Sequence, residues 1–126
     1  MARKLSSKQL AKLSVLETFP PKFDHIHRAI EELASLKADE TVTRRLCRML
    51  DEMKAGAASI GEGALAENLG IMGTLARRGG GLQMKVRGLR ESFGSLKTNF
   101  EGAMQAATRE DPTAGDEDEE GASSSP

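Results

Sequence analysis

The sequence has 126 residues, a formal net charge of −1, 38% hydrophobic residues and 29% charged residues, which suits one globular domain. No apolar run approaches the roughly 20 residues that cross a bilayer, so we expect no membrane span. The lone Cys47 cannot form an internal disulfide and the opening MARKLSSKQL lacks the apolar segment of a secretory signal, so the expected location is cytoplasmic.

The first two predicted helices meet at a pair of prolines. Ser6 or Ser7 can cap a short first helix. Pro20 and Pro21 interrupt it, because proline lacks an amide donor and its ring clashes with the preceding turn. Pro21 suits the first turn of a second helix. The residues expected to face the core are Leu10, Leu13 and Leu16 in the first helix, and Phe23, Ile26, Ile30, Leu33 and Leu36 or the stem of Lys37 in the second.

Glycines separate the third and fourth predicted helices. Asp39 or Thr41 is the expected N-cap of the third helix, and Gly61 and Gly63 mark the turn that follows it. The fourth helix ends with basic residues before the triple glycine at 79–81, as a helix C-terminus prefers. The expected core residues are Val42, Leu46, Met49 or Leu50, Met53, Ala57 and Ile60 in the third helix, and Leu65, Leu69, Met72 and Leu75 or Ala76 in the fourth.

The fifth predicted helix carries the most regular apolar pattern in the chain. Its apolar residues are spaced alternately four and three apart: Leu82, Val86, Leu89, Phe93, Leu96, Phe100, Ala103 and Ala107. This heptad spacing packs at a shallow angle against antiparallel neighbours. Short connections between long amphipathic helices favour an up-and-down bundle. We therefore predict an all-α protein, with an antiparallel four-helix bundle within residues 1–109 and the short first helix across one end.

The last part of the chain differs in composition from the rest. Residues 110–126 contain seven acidic and no basic residues, together with Pro, Gly and Ser, which predicts a disordered acidic tail. The remaining 109 residues hold 18 basic and 12 acidic groups. A basic body attracts nucleic acid, but four Phe without Tyr or Trp offer little base stacking. We therefore expect no nucleic-acid binding.

The segment DEMKAGAASIG, residues 51–61, contains the kinds of residue that surround a phosphoryl-carrying side chain in a helix, but it lacks the imidazole that would carry the phosphoryl group. Such a helix needs an exposed imidazole, small side chains one turn away so that a partner can close over the ring, and a cation for the phosphoryl oxygens. Lys54 and Ala55 follow Asp51 by three and four residues and therefore share its helix face. An aspartate stands where the histidine would have to be.

In these residues the chain resembles the histidine-phosphotransfer family, the four-helix carriers of bacterial phosphorelays. The family signature is a histidine, a lysine three residues later, a run of small residues, an apolar residue and a glycine. Residues 54–61 match that run, and segments 16–23 (LETFPPKF) and 64–72 (ALAENLGIM) are similar to the neighbouring parts of the family fold. The resemblance covers about residues 10–107. Asp51 departs from the signature at the phosphoacceptor itself.

The resemblance, with its histidine replaced, implies a non-catalytic signalling module. The implied partner is a response-regulator receiver domain or a histidine-kinase-like protein of a bacterial two-component system. The expected partner-binding residues are Arg44, Arg45, Arg48, Asp51, Lys54 and Ala55. The three arginines lie one to two turns before Asp51 and could meet acidic groups of the partner. We expect a monomer that uses no cofactor.

Two other interpretations are open at this stage. Asp51 could belong to an exposed row of ion pairs with Arg48 and Lys54, and the small residues at 55–58 could simply permit close helix packing. Alternatively, the heptad helix could form an intermolecular coiled coil, which would make the chain a structural adaptor or oligomerisation protein unrelated to phosphotransfer.

No group of residues in the sequence suits catalysis or metal binding. His25 and His27 are two positions apart and do not share a helix face, so they make a poor metal site. The cluster of carboxylates that would help Asp51 to carry an acyl phosphate is absent from the sequence around it. The triple glycine lacks the following Lys-Ser/Thr of a phosphate-binding loop. We therefore expect neither an enzyme nor a metal site.

Overall fold

The computed structural model describes residues 5–35, 40–78 and 81–109, and these form a helical bundle. The helices described are α1 (Ser7–Leu16), α2 (Phe19–Ala34), α3 (Glu40–Ser59), α4 (Gly63–Arg77) and α5 (Leu82–Thr108). From α2 to α5 each helix packs against the next, and α5 also packs against α2, which closes a ring of four. The predicted all-α bundle is therefore confirmed. The predictions for Leu36, Lys37, Asp39, Gly79, Gly80 and the acidic tail lie outside the described residues.

Helix α1 has Ser6 as its N-cap and lies against the end of α5. The Ser6 hydroxyl accepts a hydrogen bond from the Gln9 amide at 3.1 Å, and the Gln9 side chain accepts one from the Ser6 amide at 2.9 Å, which is a capping box. Gln9 also donates to the carbonyls of Ala107 and Arg109, at 3.3 and 2.7 Å. These bonds fix α1 at the end of the bundle where α5 terminates.

The junction between α1 and α2 differs from the prediction in two ways: the break lies earlier in the chain, and Phe19 belongs to the core. Both prolines lie in the first turn of α2, and the break falls before them, at residues 17–18. Phe19, which the apolar stripe left out, is buried and stacks on Phe100 with 5.9 Å between ring centroids. Leu10 was predicted to face the core but is 56% exposed. The reason is that the side of α1 that faces the bundle carries Leu13, Val15 and Leu16, and Leu10 lies outside it.

The turn between α3 and α4 is a Schellman motif centred on Gly61. Gly61 has φ +75°, which glycine adopts without a steric penalty. The amide of Glu62 donates to the carbonyl of Ala57 at 2.9 Å, and the amide of Gly61 donates to that of Ala58 at 3.1 Å. The predicted break is therefore at Gly61, while Gly63 is already the first residue of α4. At the other end of α3, Thr41 lies inside the helix and is not its N-cap.

The predicted apolar stripes supply most of the core. Leu50 rather than Met49 is fully buried in α3, and Ala76 rather than Leu75 in α4. Along α5 the heptad residues are all buried except Leu82 and Phe100, which are half-buried. None of the described helices is long and apolar enough to cross a membrane. The regular apolar stripe of α5 packs inside the bundle.

Candidate functional site

The outward face of α3 carries the residues that the sequence singled out. The buried residues of this helix recur every three or four positions from Val42 to Ala57, so the opposite side faces solvent. The predicted partner-binding residues are all exposed on this helix: Arg44, Arg45, Arg48, Asp51, Lys54 and Ala55. Asp51 lies near the middle of α3, with about half of the helix on either side.

The carboxylate of Asp51 forms an ion pair with Arg77, in the last turn of α4. Nη2 of Arg77 lies 2.6 Å from Oδ2 of Asp51, while 51% of the arginine and 59% of the aspartate side chain stay exposed. Asp51 is thus paired across the α3–α4 seam, and not along α3 with Arg48 or Lys54. A pair this exposed contributes about 0–1 kcal/mol to stability. An approaching partner can therefore separate the two side chains with little loss of folding free energy.

Two glycines of α4 allow cationic side chains to lie on its backbone beside α3. A Cβ atom at Gly70 would lie 3.4 Å from Nζ of Lys54, and one at Gly73 would lie 2.9 Å from Nη1 of Arg77. Lys54 comes from α3 and Arg77 from α4, so both helices contribute positive charge to the region around Asp51. Gly70 and Gly73 therefore leave room for the Lys54 and Arg77 side chains at the seam between α3 and α4.

A shallow groove of about 600 Å³ lies beside Asp51. The residues that line it are Glu40, Thr43, Arg44, Cys47, Arg48, Asp51, Glu52 and Arg77. Its three arginines and three carboxylates balance in formal charge. Arg44 lies 3.4 Å from Glu40 one turn earlier, whereas Arg48 has no ion-pair partner among the described residues. Arg48 is therefore the groove arginine most available to an acidic group of a partner.

The structure brings together only part of the predicted set. Arg44, Arg48 and Asp51 line the groove, whereas Arg45, Lys54 and Ala55 are exposed on α3 without lining it. Arg77 was missed, because its place before the glycines fits the ordinary preference of a helix C-terminus for basic residues. Its partner lies 26 positions away, and such a long-range pair leaves no local pattern in the sequence.

The histidines lie elsewhere. His25 and His27 are exposed on α2, on either side of the buried Ile26. No cluster of three or more His, Cys, Asp or Glu able to hold a metal ion occurs among residues 5–35, 40–78 and 81–109. Cys47 is buried, where it packs with the core.

Comparison of the chain with models of known families, with curated proteins and with solved structures finds no match.

Proposed function

We propose that the chain is a non-catalytic signalling module similar to histidine-phosphotransfer domains. It binds a receiver domain or a histidine-kinase-like protein of a bacterial two-component system, in the cytoplasm, through the outward face of α3. One observation carries this proposal: Asp51 is exposed in the middle of a bundle helix. The resemblance to histidine-phosphotransfer domains implies such a place for the residue at the phosphoacceptor position. Without an imidazole at that position, the surface supports recognition and not phosphoryl transfer.

Arg77 makes such recognition electrostatically feasible. A receiver domain presents an acidic pocket, and a bare carboxylate at about 4 Å from another is repelled by about 1 kcal/mol in water and about 4 kcal/mol at an effective dielectric constant of 20. The guanidinium of Arg77, 2.6 Å from the Asp51 carboxylate, offsets that negative charge. Arg48, one turn earlier on α3, adds a positive group that can meet the partner's carboxylates.

The alternative role is an oligomerisation protein in which α5 forms a coiled coil with a second chain. The apolar stripe that such a coiled coil would use is already buried in the bundle. Val86, Leu89 and Leu96 are buried within the bundle, at 6%, 0% and 0% exposure. Pairing α5 with a second chain through this stripe would require α5 to leave its own bundle. A monomeric molar mass from light scattering is the expected result for the closed bundle.

Restoring the missing histidine tests the proposal directly. The wild-type chain, Asp51→His and Asp24→His are each mixed with a histidine kinase, receiver domains and ATP that carries the label in its γ-phosphate. Asp24 is an exposed carboxylate on α2 and serves as the matched control position. We expect no label on the wild type or on Asp24→His, and acid-labile label on Asp51→His, since only this substitution places an imidazole beside Lys54 and Ala55.

Two results would count against the proposal. Stable label on the wild-type chain would show that it transfers phosphoryl groups. An Asp51→His variant that folds normally, takes no label and binds no receiver would remove the support that the resemblance gives.

A further inference from the structure

A second open groove lies on the seam between α4 and α5, on the side of α4 away from the groove beside Asp51. It has a volume of about 590 Å³. The α4–α5 groove is lined by Leu75, Arg78, Gly81, Met84, Lys85, Arg87, Gly88 and Glu91. The proposed function uses none of them.

Two large apolar side chains, Leu75 and Met84, line the α4–α5 groove. Leu75 lies across α5 at Gly88, where a Cβ would be only 3.3 Å from Cδ1 of the leucine. Met84 is 78% exposed at the start of α5, and Ile71, one turn before Leu75 on α4, is 49% exposed. These two are, with Leu10, the large hydrophobic residues left exposed in the described part of the chain. Apolar side chains gathered at a concave surface favour a partner that removes them from water.

The charges around the groove are strongly one-sided. Between Glu67 and Glu91 the sequence contains five basic residues and no acidic one. Three of these basic residues line the groove: Arg78, Lys85 and Arg87. None of the three has an ion-pair partner within the described ranges, and Glu91 is the only carboxylate of the groove lining. An occupant that complements this surface must combine apolar and acidic groups.

The acidic end of the chain does not meet that description. Residues 110–126 contain no Leu, Ile, Val, Met or aromatic residue, so they cannot fill an apolar groove. A lipid surface is also unsuited, because Leu75 and Met84 line a concavity between two helices and a membrane surface binds a convex apolar face.

The geometry points to an amphipathic helix of another protein as the occupant of the α4–α5 groove. Its apolar residues, one turn apart, would lie over Leu75 and Met84, and its acidic residues would pair with Arg78, Lys85 and Arg87. This is binding of a helix in a groove, at a surface separate from the outward face of α3. The inference is independent of the proposed function, and its test uses no residue of α3.

A synthetic helical peptide serves as the probe. It consists of repeated Glu-Ala-Leu-Leu-Glu-Ala-Leu heptads with a fluorescent label, and binding is measured by fluorescence anisotropy. We expect binding of this peptide, and loss of binding when its leucines become glutamine or its glutamates become lysine. High salt should weaken binding, because the acidic–basic contacts are exposed.

Two pairs of exposed residues give matched variants of the full chain. Met84→Glu and Arg87→Glu change the groove, whereas Leu10→Glu and Arg28→Glu make the same changes on α1 and α2. All four side chains are exposed. We expect about tenfold or greater weakening for the groove variants and less than about twofold for the controls.

Three results would overturn the inference. The first is equal binding by the groove variants and their controls. The second is binding to phosphatidylserine vesicles without binding to the peptide, which would assign the surface to a membrane. The third is self-association of the chain that Met84→Glu abolishes, which would assign the groove to a second copy.

Discussion

At the scale of single residues, the most informative contact is the one between Asp51 and Arg77. The two side chains come from different helices, meet at 2.6 Å and remain more than half exposed. Water and salt screen such a pair, so it holds the carboxylate in place without stabilising the fold much. Because the pair is weak, the two side chains can rearrange at this surface with little loss of folding free energy.

We predict that Asp51 and Arg77 are weakly coupled in stability. In a double-mutant cycle with Asp51→Ala and Arg77→Ala, followed by urea unfolding, the coupling free energy should be about 0.2–1 kcal/mol. Arg78→Ala is the matched control, since Arg78 is the adjacent exposed arginine and has no ion-pair partner among the described residues. A coupling above about 2 kcal/mol would mean that the pair is a structural contact and not an easily opened one.

At the scale of helices, the glycines of the bundle have different roles. Gly88 accommodates Leu75, and Gly73 accommodates Arg77, so both permit an approach that a methyl group would hinder. Gly94 and Gly102 lie within α5, and a Cβ at either would have no heavy atom within 4 Å. Packing in the described structure therefore does not require glycine at these two positions, and glycine there should only weaken the helix.

We predict that Gly94→Ala and Gly102→Ala each stabilise the protein by about 0.5–1 kcal/mol, because alanine loses less backbone freedom in a helix. The measurement is the free energy of unfolding in urea. Gly88→Ala is the matched control in the same helix. Its Cβ would press on Leu75 at 3.3 Å, so the gain should be smaller or reversed. Equal gains at Gly88 and Gly94 would show that Leu75 does not pack on Gly88 as described.

At the scale of the whole molecule, the bundle itself could be predicted from the sequence. The alternating four-and-three spacing along α5 and the capping signals at Ser6 and Gly61 all agree with the observed helices. Each of these is a local pattern, in which the residues that determine the structure lie within a few positions of one another. The exposure of the α3 residues follows in the same way from the period of its apolar stripe.

Features that depend on packing between distant residues could not be predicted in this way. Phe19 is buried because Phe100 lies opposite it, and Leu10 is exposed because α1 presents a different side to the bundle. Arg77 joins the candidate site through the approach of α4 to α3. The α4–α5 groove likewise exists only because residues from two helices meet at the seam.

The central claim is that the outward face of α3 recognises a two-component partner. The most direct measurement is a binding titration of the full chain against purified receiver and histidine-kinase domains, with Arg48→Glu and Arg28→Glu as the matched pair of exposed charge reversals. We predict that at least one domain binds, and that Arg48→Glu weakens its binding by about tenfold while Arg28→Glu leaves it nearly unchanged. Absence of binding to every domain, or an equal effect of the two variants, would contradict the claim.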